Sequence, residues 1–112
     1  MIVREWKCLC PQETAEGFLG HLRATGVDEA RVVPGYLGHQ ILTRQAGGGQ
    51  IEFTLLTWWA SLDHAKAFAG AQTDEQASRA VLYPGDERYR IIPETTVRHY
   101  DVRETVWTGP GK

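Results

Sequence analysis

The chain has 112 residues, of which 42% are hydrophobic and 23% charged, and its formal net charge is −2. This length suits one domain with a modest core, and the charge offers no basic surface on which nucleic-acid binding would rest. No apolar run approaches the roughly 20 residues that cross a bilayer. The N-terminus lacks the basic-then-apolar order of a signal peptide, so we expect a cytoplasmic protein.

The first ten residues, Met1 to Cys10, are mostly apolar and predict a first strand that is covered on both faces. Cys8 and Cys10 are the only cysteines, and on a strand they point to one face with a geometry that does not favour a disulfide. A zinc site needs further ligands at suitable spacing, which the sequence does not supply. We expect reduced, buried thiols and no metal, with reactive or metal-binding thiols as the alternative.

Apolar side chains then recur with helical period between about Glu13 and Thr25 and predict the first helix. They are Ala15, Phe18, Leu19 and Leu22. Pro11 ends the preceding strand and suits a first helical turn. Gly26 is a reasonable end for this helix.

A hairpin follows, with strand two from about Gly35 to Arg44 and strand three from about Gln50 to Trp59. The glycine run at 47–49 supplies the positive φ angles that a tight turn needs. Strand three alternates, and one of its faces carries Ile51, Phe53, Leu55, Thr57 and Trp59. Its other face becomes apolar towards Leu56 and Trp58.

Ser61 is a good N-cap for a second helix. The buried stripe of that helix is predicted to contain Leu62, Ala65, Phe68 and Ala69. A further helical piece is predicted from about Asp74 to Leu82, and Tyr83-Pro84-Gly85-Asp86 predicts a turn.

The C-terminal part begins with Ile91-Ile92-Pro93, which the proline confines to a sheet edge or a connection. The last strand is predicted from about Thr95 to Arg103. We therefore expect one domain over residues 1–103 and a tail over residues 104–112.

The predicted order is β-α-β-β-α-β, which is the ferredoxin-like arrangement of the α+β class. Its antiparallel sheet is covered by two helices on one face. The other face, with side chains such as Leu56, Trp58 and Tyr100, needs a second cover because an apolar surface of that size usually marks an interface. We expect a homodimer that associates through the sheets.

With this order, the chain resembles the antibiotic biosynthesis monooxygenase family, whose members form dimeric α+β barrels. The resemblance rests on Pro34-Gly35 at the entry to strand two and on the strand end Leu56-Thr57-Trp58-Trp59. It also rests on the helix start Trp59-Ala60-Ser61-Leu62 and on the late strand Val97-Arg98-His99-Tyr100-Asp101-Val102. It covers about residues 2 to 103.

The resemblance implies a pocket between sheet and helices in each subunit. Some members of the family oxygenate polyketide aromatics with O₂ and without metal or flavin, and others cleave haem. The haem-cleaving members resemble one another in an asparagine on strand one and a histidine one helix-length after the tryptophan. This chain contains no asparagine, and Phe68, Ala69, Gly70 and Ala71 stand around the expected histidine position. The sequence therefore argues against haem degradation through that constellation.

The resemblance makes Trp59 the candidate pocket wall, with core packing as the alternative. We add Phe68, Tyr83 and His99 as candidate substrate-binding residues. Tyr83 borders a loop that would close over a pocket, with anchoring of that loop as the alternative. His99 lies on the last strand, where a hydrogen-bonded structural role is the alternative.

His39 and His64 are the candidate catalytic residues, because an imidazole with a pKa near 6.5 takes a proton at neutral pH. A structural role for His39 and a solvent-facing position for His64 are the alternatives. Arg44 and Arg79 are candidates for steadying an anionic oxygen, although surface arginines are more common. His21 is expected at the surface or at the border of the first helix.

The sequence thus favours a homodimeric monooxygenase that acts without a cofactor on a small aromatic or quinone-type compound and O₂. A non-catalytic dimer that binds a small hydrophobic ligand is the alternative. An isomerase or decarboxylating protein on the same scaffold is a third possibility.

Overall fold

Five antiparallel strands form one sheet, and the helices pack on one of its faces. The computed structural model describes residues 1–109. The strands are β1 (Ile2–Pro11), β2 (Tyr36–Gly47), β3 (Gln50–Trp59), β4 (Ile92–Pro93) and β5 (Arg98–Asp101). The helices are α1 (Ala15–Leu22), α2 (Asp28–Arg31), α3 (Leu62–Ala69) and α4 (Asp74–Ala77).

The sheet has the order β2-β3-β1, and the far edge of β1 pairs with both β4 and β5. Trp6 at the centre of β1 lies opposite Leu55 of β3, and Arg4 lies opposite His99 of β5. The ferredoxin-like α+β fold predicted from the sequence is therefore confirmed. The division into a domain over residues 1–103 and a tail over residues 104–112 stays a prediction, and residues 110–112 of that tail lie outside the described residues.

The turn between β2 and β3 uses the glycine run as predicted. Gly47, Gly48 and Gly49 have φ angles of +87°, +62° and +75°, which residues with a Cβ atom adopt only with strain. The hairpin register places Gln50 beside Gly47 at the turn.

The first helical region is longer than predicted, and the assignment of Gly26 as its end was wrong. A π-helical turn over Arg23–Val27 continues α1 directly into α2, which ends at Arg31. Gly26 has no positive φ and is buried, and a Cβ atom there would lie 3.4 Å from the Leu55 side chain. This glycine serves close packing of the helix on the sheet.

The second helical piece is shorter than predicted. α4 ends at Ala77, because the following backbone pairs with the chain that precedes β5. The Ala80 N–H donates to the Thr95 carbonyl at 2.9 Å, and the Val97 N–H donates to the Ser78 carbonyl at 2.7 Å. These long-range hydrogen bonds tie residues 78–80 to the chain before β5 and end the helix.

The start of α3 is confirmed. The Ser61 hydroxyl accepts a hydrogen bond from the His64 N–H at 3.4 Å, and Gly70 ends the helix with a φ of +66°. The ring of His64 lies against Gly35, where a Cβ atom would come within 2.1 Å of it. The Pro34-Gly35 pair thus brings the beginning of β2 against α3.

The face of the sheet that the helices cover, here the covered face, carries most of the core. The alternation of β1 and β3 sends Trp6, Cys8, Phe53, Leu55 and Trp59 to this face, and all five side chains are buried. Cys8 and Cys10 are buried free thiols, as predicted. Burial raises the pKa of the Cys8 thiol to about 12, so this thiol is not a nucleophile at neutral pH.

The opposite face, here the open face, has no helix on it. It carries Leu56, Trp58 and Tyr100, as predicted, together with Leu42. It also carries a band of paired charges that the sequence prediction did not include. The Arg44–Glu52, Lys7–Glu52 and Arg98–Glu5 pairs make up this band, so the face is mixed rather than wholly apolar.

Candidate functional site

A cavity lies between the covered face, α1 and the loop that precedes the turn at Asp86–Tyr89. Its apolar walls are Trp6, Phe18, Leu22, Leu55, Phe68 and Val81. Its other lining residues are Arg4, Thr25, Gly26, Thr57, Tyr83 and Asp86. Four aromatic side chains and one guanidinium group therefore face the same space.

The cavity is narrow. The empty space among its lining side chains is about 470 Å³ when the open mouth is included, but the centre of a water-sized sphere can move through only about 30 Å³. This space holds only about two or three water molecules, since each needs roughly 10–15 Å³ on that measure. A larger ligand requires the half-buried side chains of Phe68, Val81 and Tyr83 to move outward.

Arg4 is the unusual residue of this cavity. It is only 4% exposed, and the alternation of β1 places it on the covered face beside Trp6. Its Nη1 donates to the Ala77 carbonyl at 2.7 Å, and its Nη2 donates to the Arg79 carbonyl at 3.1 Å. The guanidinium carbon also lies 5.7 Å from the centre of the Phe68 ring, within the range of a cation–π contact.

In the described part of the chain, no carboxylate pairs with this cation. Among residues 1–109, none of the ion pairs includes Arg4. Burial lowers the pKa of Arg4 to about 10, while the nearby Tyr83 acts in the opposite direction. The side chain is therefore a buried positive charge at neutral pH, held by backbone carbonyls.

His99 supports Arg4 from β5. Its Nε2 lies 3.1 Å from Arg4 Nη1, and since a guanidinium only donates, the imidazole accepts with a neutral Nε2. Burial, together with the Arg4 charge, lowers the pKa of His99 below its usual 6.5. His99 is thus neutral at pH 7 and touches the cavity through Arg4, and its predicted contact with substrate stays a prediction.

Trp59 lies one layer behind the cavity wall. Its side chain is fully buried, and its ring stacks on Phe68 with the ring centres 5.3 Å apart. The indole Nε1 donates to the Thr57 hydroxyl at 2.9 Å. Phe68 and Tyr83, two other predicted substrate-binding residues, line the cavity directly, and Trp59 acts on it by supporting Phe68.

The structure does not bring His39 and His64 to the cavity lining. His39 is exposed on β2, and its Nδ1 lies 2.6 Å from the Tyr36 hydroxyl. The Nδ1 of His64 lies 2.8 Å from the Ser61 hydroxyl, which fixes the ring at the start of α3. The catalytic role predicted for these two histidines stays a prediction.

A second polar group lies at the Asp86 side of the cavity. His21 Nε2 and Asp86 Oδ1 are 2.7 Å apart, and both side chains are largely buried. The other oxygen of Asp86 accepts from the Tyr83 N–H at 2.9 Å. The sequence predicts His21 at the surface or at the border of the first helix, and its pairing with Asp86 is not visible in a local pattern because the two residues are 65 positions apart.

Arg4 was absent from the sequence-based candidates, although a signal for it exists. Along β1 the residues that share a face are Ile2, Arg4, Trp6, Cys8 and Cys10. One cation in an otherwise apolar inward row is unusual, because arginine is rarely buried without a partner. Because the sequence predicts that both faces of this strand are covered, its pattern alone does not single out Arg4.

Within residues 1–109, no three histidine, cysteine, aspartate or glutamate side chains come together as a metal site would require. In the same part of the chain, every helix is too short or too polar to span a bilayer.

No family model and no curated protein matches the chain. Solved structures do match it. A proposed antibiotic biosynthesis monooxygenase from Deinococcus radiodurans has a TM-score of 0.63 at 15% identity, over 97% of this chain and 99% of that one. MhuD, a haem degrader from Mycobacterium tuberculosis with two haems bound in its active site, has a TM-score of 0.60 at 18% identity, over 96% and 100%.

SnoaB from Streptomyces nogalater, a cofactor-independent oxygenase, has a TM-score of 0.52 at 14% identity, over 94% of this chain and 96% of that one. At such identities these matches establish a shared fold over nearly the whole chain. The resemblance seen in the sequence is confirmed at that level. This chain has the α+β fold of the antibiotic biosynthesis monooxygenases.

Proposed function

We propose that the protein is a monooxygenase that acts on a small aromatic or quinone-type compound with O₂ and without a metal or flavin. The observation that carries the proposal is the aromatic-walled cavity, in which Trp6, Phe18 and Phe68 surround one slot. Such walls suit a flat ring, since aromatic rings pack well in edge-to-face and offset arrangements. The shared fold with SnoaB, a cofactor-independent oxygenase, supports the same reaction type.

The reaction can be written for an anthrone, a tricyclic ketone with a reactive methylene group. The methylene loses two hydrogens, one oxygen atom of O₂ forms the new carbonyl, and the other oxygen leaves as water. The electrons come from the anthrone, which is oxidised to an anthraquinone while O₂ is reduced. The protein would bind the ring, exclude bulk water and stabilise the enolate that reacts with O₂.

We further propose that a second copy of the chain covers the open face. Leu42 and Tyr100 are each 45% exposed there, and Leu56 and Trp58 lie between them in the sheet. Burial of these side chains in a homodimer would remove apolar area from water. A cytoplasmic location remains part of this proposal.

The haem-degrading alternative is disfavoured by the residues of the chain, despite the shared fold with MhuD. The chain has no asparagine, and Phe68 occupies the wall where the helix passes the cavity. The stronger rival is a non-catalytic protein that binds a small hydrophobic ligand in the same cavity. It is favoured by the positions of His39 and His64, neither of which lines the cavity.

Oxygen consumption separates these two functions. Purified protein is incubated with a panel of anthrones and hydroquinones, with and without a chelator, and O₂ uptake is recorded. Uptake above the uncatalysed rate that survives the chelator and falls at least about tenfold in Phe68→Ala supports the oxygenase. Arg31→Gln, at the exposed end of α2 and outside the cavity lining, is the control and should keep full uptake.

Two other results would decide against the oxygenase. Ligand binding by thermal shift without any O₂ uptake would assign the protein to the binding class. Uptake that the chelator abolishes would show that a metal supplies the chemistry.

A further inference from the structure

We propose that Arg4 is the specificity-determining residue of the cavity and that the ligand bears an anionic oxygen which Arg4 binds. The ligand class is an aromatic ring with a phenolate, enolate or carboxylate group. The inference rests on the proposed function, since it assumes that the cavity is the ligand site. It specifies the charge of that ligand and its orientation in the cavity.

The first support is the hydrogen bonds that Arg4 leaves unmade. A guanidinium has five N–H donors. Nη1 uses two of them, on the Ala77 carbonyl and on His99, and Nη2 uses one, on the Arg79 carbonyl. Among residues 1–109, no acceptor contacts the Nε–H or the second Nη2 hydrogen. A carboxylate or phenolate is the acceptor that such donors bind most strongly.

The second support is the neighbouring residue on the same face of β1. Trp6 lines the cavity and is only 8% exposed, yet its Nε1–H has no acceptor among residues 1–109. A buried donor without a partner costs free energy, and buried polar groups usually have one. Arg4 and Trp6, two residues apart on one face of β1, thus both line the cavity and both have unused donors, for which an oxygen-bearing ligand would be an acceptor.

The third support is the charge around Arg4. His99 is neutral at pH 7 and accepts from Arg4. Burial raises the pKa of the Tyr83 phenol above its usual value, so this group is also neutral. Asp86, the one carboxylate in the lining, is paired with His21 and the Tyr83 N–H. An anionic ligand that reaches Arg4 would therefore meet a positive charge that has no ion-pair partner among residues 1–109.

The position of Phe68 indicates the orientation that the ring of such a ligand would take in the cavity. Phe68 stacks on Trp59 and meets the guanidinium from one side. A ligand whose oxygen reaches Arg4 would extend its ring along the apolar walls towards Phe18 and Leu22. The polar end and the apolar body of the ligand are thus assigned to different parts of one cavity.

Binding of matched probes tests the charge requirement. 2-Naphthoate and 2-naphthamide share one ring system and differ in charge, and their affinities are measured by calorimetry at pH 7. We expect the wild-type protein to bind the carboxylate at least about tenfold more tightly than the amide, as charged hydrogen bonds imply. Arg4→Met should abolish this preference, and Trp6→Phe should reduce it about three- to tenfold.

A hydroxyanthraquinone distinguishes a phenolate from a carboxylate ligand. Its phenolate absorbs at longer wavelength than its phenol, so the spectrum reports the ionisation of the bound probe. Beside a buried cation we expect the pKa of the bound phenol to fall by about 1–3 units. Phenolate absorption in the wild-type protein, but not in Arg4→Met, identifies hydroxyaromatic compounds as ligands. Tight 2-naphthoate binding without this spectral change identifies aromatic acids.

Controls keep the test decisive. Arg31→Met removes an exposed arginine at the end of α2, outside the cavity lining, and should leave every affinity unchanged. If Arg4→Met fails to fold, the charge requirement is still tested by comparing the affinities of the charged and neutral probes for the wild-type protein and for Trp6→Phe. Equal binding of both naphthalene probes by the wild-type protein would overturn the role of Arg4 while leaving the cavity as a ligand site. Binding of none of the probes would overturn the site itself.

Discussion

The two faces of the sheet hold arginine side chains with different kinds of partner. On the open face, Arg44 makes two hydrogen bonds to the carboxylate of Glu52, at 3.0 and 3.2 Å. On the covered face, Arg4 is held by two backbone carbonyls and a neutral imidazole. The open face therefore compensates its charges within the sheet. On the covered face, Arg4 has no ion-pair partner among residues 1–109 and lines the cavity. A ligand with an acceptor oxygen would therefore stabilise the protein most at this point.

The largest expected effect comes from the core of the covered face. Phe18 is completely buried between Trp6 and Phe53, so Phe18→Ala should lower the free energy of unfolding by about 3–5 kcal/mol. Leu42→Ala, on the open face, should cost less than about 1 kcal/mol in the isolated chain, since Leu42 is already 45% exposed. Urea denaturation measures both changes.

The same pair of variants tests whether a second copy covers the open face. In a dilution series by sedimentation, Leu42→Ala should weaken self-association. Phe18→Ala should lower the stability of the folded chain rather than weaken its self-association directly. A monomer at all working concentrations for the wild-type chain would contradict the dimer.

The adjacent tryptophans of β3 provide the next comparison. Trp59→Phe removes the Nε1 bond to Thr57 and part of the stack on Phe68. We expect a loss of about 1–3 kcal/mol in unfolding free energy and weaker binding of any cavity ligand. Trp58→Phe should cost less than half as much, because Trp58 points to the open face and is only partly buried. Equal losses would show that the two faces are equally well packed.

A smaller effect is expected from pH. The pKa of His99 in the folded protein is lower than 6.5 because of burial and the Arg4 charge. Below pH 6.5 the unfolded chain therefore binds more protons than the folded protein, and the free energy of unfolding falls as the pH decreases towards the folded-state pKa. Above pH 6.5 this contribution is complete and constant.

His99→Gln tests the assignment, because a glutamine side chain still offers an oxygen to Arg4 but does not titrate. Unfolding is followed between pH 5 and 7.5 in both proteins, and the variant should show a flatter profile. An unchanged slope would mean that His99 is not the titrating group.

The smallest effect is expected on the open face. The hydrogen bond from Arg44 lowers the pKa of Glu52 below its usual 4.5, so the pair contributes above that pH and is lost as the pH falls. Because the site is close to solvent, Glu52→Gln should cost at most about 1 kcal/mol at neutral pH, and less in high salt. Glu16→Gln, at an exposed helical position, is the control. A cost that is independent of salt would place Glu52 in an interface.

Much of the fold follows from local patterns. β3 begins and ends at the predicted residues, because alternation and the glycine run define both ends. Ser61 begins α3 as predicted, since capping depends on neighbouring residues alone. The errors at Gly26 and in the Asp74–Leu82 segment have a different origin. Gly26 packs against β3, and residues 78–80 pair with the chain before β5. Neither long-range contact can be predicted from a short stretch of sequence.

The site was predictable only in part for the same reason. Phe68 and Tyr83 were found because one lies on a helical stripe and the other at a turn. The pairing of His21 with Asp86 and the contact of Arg4 with Ala77 and Arg79 join residues that are 65 to 75 positions apart. Only the fold brings these groups together. The inward position of Arg4, in contrast, was already present in the alternation of β1.

The π-helical turn at Arg23–Val27 determines how much room the cavity has. It places Gly26, a residue without a side chain, directly over Leu55, with Leu22 and Tyr83 close by. A methyl group at this position would lie 3.4 Å from the Leu55 side chain and 3.5 Å from the Leu22 side chain. Because Gly26 lines the cavity, we expect Gly26→Ala to narrow it and to favour slimmer ligands, with every polar contact of Arg4 intact.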